Sequence, residues 1–238
     1  MNKLAKNLNI NPDLIRGTLG IFTYFYLNFA SSQIFRLFGI QINKLSKPMV
    51  ALVSIIYSFI ILAILLLISK EKYLNNLKEY KKNFKAYFKR NVKYWLSALL
   101  IMAASNLIIY LIFNSETSAN DATIRQIFDN YPLYMIIQSI IIAPLTEEIV
   151  FRQSIRYLVK NNILFIIISG LVFGSMHTIT SLNSVADFLY IIPYSVPGMF
   201  FAYMLVKEDN VLVPITFHTI HNSLSTILLV LAKLTGIF

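Results

Sequence analysis

The chain has 238 residues, 57% of them hydrophobic and only 13% charged, with a mean hydropathy of +0.64 and a formal net charge of +10. A soluble domain carries about a quarter charged residues, so this composition excludes an ordinary water-soluble enzyme and points to a membrane protein. The absence of cysteine excludes disulfides, thiolate nucleophiles and cysteine-based metal sites.

The expected fold class is all-α: a polytopic helical membrane bundle of about seven transmembrane helices, with no period-2 alternation to suggest a β-barrel. The first residues, Met1 to Asn9, lack the basic, apolar, small-residue order of a cleaved signal peptide, so the first helix is expected to be retained. The apolar segments fall at roughly 17–39, 48–69, 94–114, 132–157, 162–180, 185–206 and 211–233. Residues 1–131 are expected to form N-terminal membrane helices and residues 132–238 a catalytic core, together one structural domain. Pro214 is placed to break the last segment.

Between the second and third segments, Lys70 to Lys93 holds nine of the 21 Lys and Arg residues. That placement reads as topology rather than as a nucleic-acid footprint, so no nucleic-acid partner is expected. The positive-inside bias puts this loop and the N-terminus in the cytoplasm. The acidic loop from Asn114 to Tyr131 and the turn from Thr178 to Ser184 then face outward, and with seven spans so does the C-terminus. Tyr73, Leu77, Tyr80, Phe84, Tyr87 and Phe88 recur at helical spacing among the lysines. They fit an amphipathic helix with its aromatics in an anionic leaflet, or a solvated topogenic linker.

Three polar clusters interrupt the apolar segments of the C-terminal half. The first is Glu147-Glu148-Ile149-Val150-Phe151-Arg152. Glu148 and Arg152 are i and i+4 on a helix and can pair, while Glu147 points about 100° away. Buried charges in hydrocarbon are costly and therefore usually functional, although an interfacial helix end with a snorkelling Arg152 reads equally well from this cluster alone. The second is Phe173-Gly174-Ser175-Met176-His177, in which Gly170 and Gly174 make a small-xxx-small step for close helix packing. The third is His218-Thr219-Ile220-His221-Asn222, with His218 and Asn222 one turn apart. All three histidines of the chain lie in the last two clusters. If the fourth and fifth segments turn near Asn161, Glu147 and His177 each lie roughly 21–24 Å from that turn. His218 lies only about 12 Å past the turn at Lys207–Asn210, so it joins them only if the two turns sit at different heights.

Glu-Glu-x-x-x-Arg, Phe-x-x-x-His and His-x-x-x-Asn, in this order on successive membrane helices, resemble the CPBP family. These are the CAAX-protease and bacteriocin-processing enzymes, also called Abi, which include the type II CAAX prenyl endopeptidases. The resemblance covers residues 132–233; residues 1–131 share only hydrophobicity and helical character. It implies an integral membrane endopeptidase acting on a small membrane-associated peptide or protein, with the lipid bilayer as its other partner. Glu147 would activate a water that His177 helps to hold, His218 and Asn222 would bind the oxyanion, and Glu148 and Arg152 would support the helix. A divalent metal such as zinc on Glu147, His177 and His218 would fit the label of metalloprotease often given to the family. The His-Glu-x-x-His signature of zincins is nevertheless absent, so a metal-free, glutamate-dependent hydrolysis is favoured and no firm cofactor is expected. The alternative is a non-proteolytic regulatory or bacteriocin-immunity protein on the same fold. A content rich in Asn, Lys and Ile suggests an AT-rich bacterial genome and hence a bacterial cell membrane, with peptide pheromones or bacteriocin leaders as better substrate candidates than prenylated proteins.

Overall fold

The computed structural model describes residues 10–114, 118–179 and 185–236; the Met1 to Asn9 expectation, Glu116 and the turn through Thr180 to Ser184 lie outside them. Among the described residues the chain is helical and without strands. Five helices are long and apolar enough to cross a membrane: Lys47–Ile68, Lys70–Phe113, Pro132–Leu158, Val185–Glu208 and Leu212–Leu234, with Asn162–Thr178 a shorter apolar helix.

The expected first segment is two helices rather than one. Helix α1 (Pro12–Phe29) starts at an Asn11 cap, whose side chain accepts from the Asp13 amide at 2.9 Å. It stops at Ala30, where Asn28 donates to the Tyr24 carbonyl (2.8 Å) and Ser31 to the Asn28 carbonyl (2.9 Å). Short polar side chains that bond nearby backbone compete with helix continuation. Helix α2 (Ser31–Leu37) then ends before Gly39 in the left-handed region. Helix α3 (Lys47–Ile68) follows.

Helix α4 (Lys70–Phe113) decides between the two readings of the basic stretch and corrects one detail of the first. Its 44 residues join the basic stretch and the third segment without a break, so of the two readings of that stretch the helix holds and the solvated linker does not. Its aromatics are also not all turned to lipid: Tyr87 is buried, Tyr80 bonds Thr216, and Phe88 stacks on Phe217 at 5.3 Å. The expected loop after it contains helix α5 (Ala119–Asn130).

Helix α6 (Pro132–Leu158) carries the acidic cluster, and a turn ending at the Asn161 cap leads to α7 (Asn162–Thr178). Helices α8 (Val185–Leu189) and α9 (Ile191–Glu208) precede α10 (Leu212–Leu234). Pro214 does not break α10, because it occupies the first turn, where a missing N–H is harmless.

The chain divides into two compact units. One comprises the described parts of Met1–Glu71 with Ile127–Leu158 and Thr219–Phe238. In it α1 rides directly on α6. A Cβ on Gly17 would lie 2.8 Å from the Ser154 carbonyl oxygen, and one on Gly20 would strike the Ser154 hydroxyl. Tyr24 and Phe25 meet Phe151 edge-on, at 5.6 and 6.4 Å between ring centres.

The other unit comprises Lys72–Gln126 and Val159–His218. Its centre is the α7–α9 pair, whose backbones touch at three glycines. A Cβ on Gly174 would lie 2.7 Å from the Ser195 nitrogen, one on Gly170 3.0 Å from the Met199 nitrogen, and one on Gly198 3.1 Å from the Gly170 Cα. The expected close approach at Gly170 and Gly174 is therefore made, with α9 as the partner.

Candidate active site

Helix α6 is irregular where its polar residues sit, and Pro144 explains the first irregularity. A proline inside a helix has no N–H to give and crowds the carbonyl four residues back. The helix opens into a π-helical turn over Gln138–Ile142, just before it. The Ala143 amide consequently bonds the Gln138 carbonyl. The Ser139 carbonyl would accept from Ala143 in an α-turn or from Pro144 in a π-turn. The first donor is taken and the second does not exist. The Asn222 side-chain amide fills the gap, donating to the Ser139 carbonyl at 2.9 Å. One turn further along α10, Thr226 meets the Ser139 hydroxyl at 3.1 Å.

A second π-helical stretch, Glu148–Ser154, holds the carboxylate cluster. Glu148 and Arg152 form an ion pair with Nε to Oε2 at 2.8 Å, and neither side chain is exposed. At the far end the Ser154 hydroxyl donates to the Ile149 carbonyl at 3.0 Å, where Gly20 of α1 presses on it. Glu147 is half-buried, within electrostatic reach of Arg152 and of Tyr24 from α1. This unit therefore holds Glu147, Glu148, Arg152 and Asn222, together with the half-buried His221.

The other unit holds His177 and His218, and Phe173 brings them together. Its ring meets His177 edge-on at 4.8 Å and His218 edge-on at 5.7 Å. His218 is buried and stacks on Phe201 at 5.3 Å, while His177 stacks on Tyr194 at 5.1 Å. The Tyr194 hydroxyl is held by three groups from the start of α5: Ser118 at 2.7 Å, Asn120 at 3.1 Å and the Asp121 carboxylate at 3.0 Å. A small cavity, about the size of one water molecule, lies beside His177 and is lined also by Asn120, Thr178, Asp187 and Tyr190.

Sequence reasoning missed the Ser139 carbonyl, Tyr24 and Tyr194. Pro144 was a readable sign of the first. The other two arrive from distant segments and carry no local signal.

Among the described residues no three His, Asp or Glu side chains gather into a metal-holding group.

A family model described as type II CAAX prenyl endopeptidase, Rce1-like, matches residues 129–224. The matched stretch runs from before the first π-helical turn to just past Asn222. Over these residues the chain is similar to that endopeptidase family. Two relatives extend the likeness. An uncharacterised protein of Mycoplasma capricolum is 36% identical over 101 residues, covering 42% of this chain and 29% of its own. YdiL of Bacillus subtilis, described as a candidate membrane peptidase, is 31% identical over 135 residues, covering 55% of this chain and 52% of its own. The chain thus spans about half of one relative and under a third of the other. No solved structure matches.

Proposed function

We propose that this protein is an intramembrane endopeptidase that hydrolyses a peptide bond of a small membrane-associated peptide or protein, in a bacterial cell membrane with its N-terminus in the cytoplasm. The observation that carries this reading is the family match over residues 129–224, which contains all seven motif residues from Glu147 to Asn222. The ion pair adds support: Glu148 and Arg152 meet in the protein interior, where they fix the helix turn that follows Glu147.

Glu147 takes a proton from a water held by His177, and the resulting hydroxide adds to the substrate carbonyl. The oxyanion of the tetrahedral intermediate accepts hydrogen bonds from His218 and from the second N–H of Asn222, whose first is spent on Ser139. Preorganised donors of this kind contribute about 3–4 kcal/mol each when removed singly. The intermediate collapses as the C–N bond breaks, and Glu147 returns its proton to the leaving amine. Glu148 and Arg152 hold the helix that presents Glu147. The Phe173 ring, edge-on to both, helps to fix the two imidazoles.

The test is processing by the full-length protein in its own membrane. Glu147→Gln and His218→Ala are each expected to cut the cleavage rate about 100-fold or more at unchanged protein level. Undiminished processing by either variant rejects the reading in favour of a regulatory or immunity role. Activity lost on rigorous chelation and restored by one divalent metal would overturn the metal-free route.

A further inference from the structure

Helix α4 is fixed in rotation by its inner face. Asn76 donates to the Asp209 carbonyl and accepts from the Val211 amide, both at 3.1 Å, while Asn210 donates to the Asn76 carbonyl at 2.8 Å. One end of the clamp is thus neutral and buried. Further along, Asn91 donates to Glu208 at 2.9 Å and Arg90 pairs with it at 2.6 Å. These contacts leave one face of α4 outward.

At about 100° per residue, Lys78, Lys81, Lys82, Lys85, Lys89 and Lys93 fall within an arc roughly 120° wide, centred opposite the buried Asn76, Tyr87 and Asn91. All six are exposed. The only carboxylate between Lys78 and Lys93 is Glu79, an exposed partner of Lys82 at 3.7 Å. The apolar continuation of the stripe decides the ligand. Leu96, Leu100 and Leu107 extend it, 48%, 72% and 56% exposed, in the part of α4 that is apolar enough to span a bilayer. The stripe therefore passes from hydrocarbon-facing leucines to lysines within one turn, about 4.5 Å along the axis between Leu96 and Lys93. A lysine at that position meets the phosphate layer of the leaflet whose acyl chains touch Leu96.

We infer that the lysine stripe of α4 is a binding surface for anionic phospholipid headgroups, engaging first through Lys93, Lys89 and Lys85. An acidic peptide would need a cradle, whereas these lysines form an open convex line continuous with a lipid-facing surface. Phe84 and Phe88, 46% and 37% exposed beside the stripe, suit the same headgroup depth.

Trp95, the single tryptophan of the chain, lies two residues past Lys93 and reports on this place. The full-length protein in phosphatidylcholine vesicles is titrated with brominated phosphatidylglycerol or brominated phosphatidylcholine, and Trp95 fluorescence is followed. The expected result is stronger quenching by the anionic lipid at equal mole fraction, an apparent enrichment of about fivefold or more. It falls toward unity in Lys85→Gln/Lys89→Gln/Lys93→Gln and, for the wild-type protein, in 0.5 M salt, where the screening length is only a few ångströms. Equal quenching by the two lipids in the wild type overturns the inference. So does an enrichment that both the triple variant and high salt leave intact. Loss of the difference to a soluble glutamate-rich peptide, unrestored by more anionic lipid, assigns the surface to an acidic polypeptide instead.

Discussion

At the scale of single residues, the two adjacent glutamates have different surroundings and should fail differently. Arg152 and Glu148 are an ion pair with no exposure, so removing one partner strands a charge in the interior. Arg152→Met is expected to cost about 3–5 kcal/mol, seen as a lowered Tm and a reduced membrane level before any question of activity arises. Glu147→Gln should leave the melting curve close to wild type and remove cleavage. A Glu147→Gln protein that unfolds like Arg152→Met would make Glu147 a structural residue. Tyr194 allows a finer test. Tyr194→Phe keeps the stack on His177 and deletes three hydrogen bonds to the Ser118–Asp121 segment. If the hydroxyl positions the ring under His177, kcat drops about tenfold with KM little changed, whereas Tyr194→Leu, which loses the stack as well, drops further. Equal kcat in Tyr194→Phe and wild type would rule that role out.

At the scale of elements, Pro144 carries a consequence beyond its own helix. By opening the turn before it, the proline releases the Ser139 carbonyl that Asn222 then engages. Pro144→Ala restores an N–H and a good helix former. We expect the variant to be at least as stable as wild type and yet about tenfold slower, because a regular α-turn recaptures the carbonyl and leaves Asn222 without its anchor. A loss of both stability and activity would contradict this link. The glycine crossing behaves in the opposite way: a methyl at Gly174 meets backbone of α9, so Gly174→Ala is destabilising by about 1–3 kcal/mol.

The legibility of the chain divides along the same line. Spans such as Lys47–Ile68 are readable because hydropathy alone places them, and Glu148–Arg152 because i,i+4 spacing is a local rule. The Gly170/Gly174 step announced a close helix, though not which one. What escaped depends on distant pairing. The basic stretch reads from its aromatic spacing as a helix or as a solvated linker, and what decides for the helix is its hold on Asn210, Glu208 and Thr216, more than 100 residues away. The break at Ala30 is set by two side-chain bonds that no window average registers. The first π-helical turn of α6 answers to Pro144, and a uniform 100° step misplaces the residues that follow it.

At the scale of the whole molecule, the chain combines exposed leucines and an exposed lysine stripe on α4 with polar residues in its apolar C-terminal half. On the proposed reading, substrates arrive through the membrane and are cut where bulk water is scarce. The central claim is that Glu147 activates water for peptide-bond hydrolysis. It is tested most directly by comparing the membrane peptides of a deletion strain carrying the wild-type gene with those of the same strain carrying Glu147→Gln at equal protein level, grown in water enriched in ¹⁸O. The account predicts a set of peptides shortened only with the wild type, their new C-terminal carboxylates carrying the label. The same shortened peptides appearing with Glu147→Gln would contradict it.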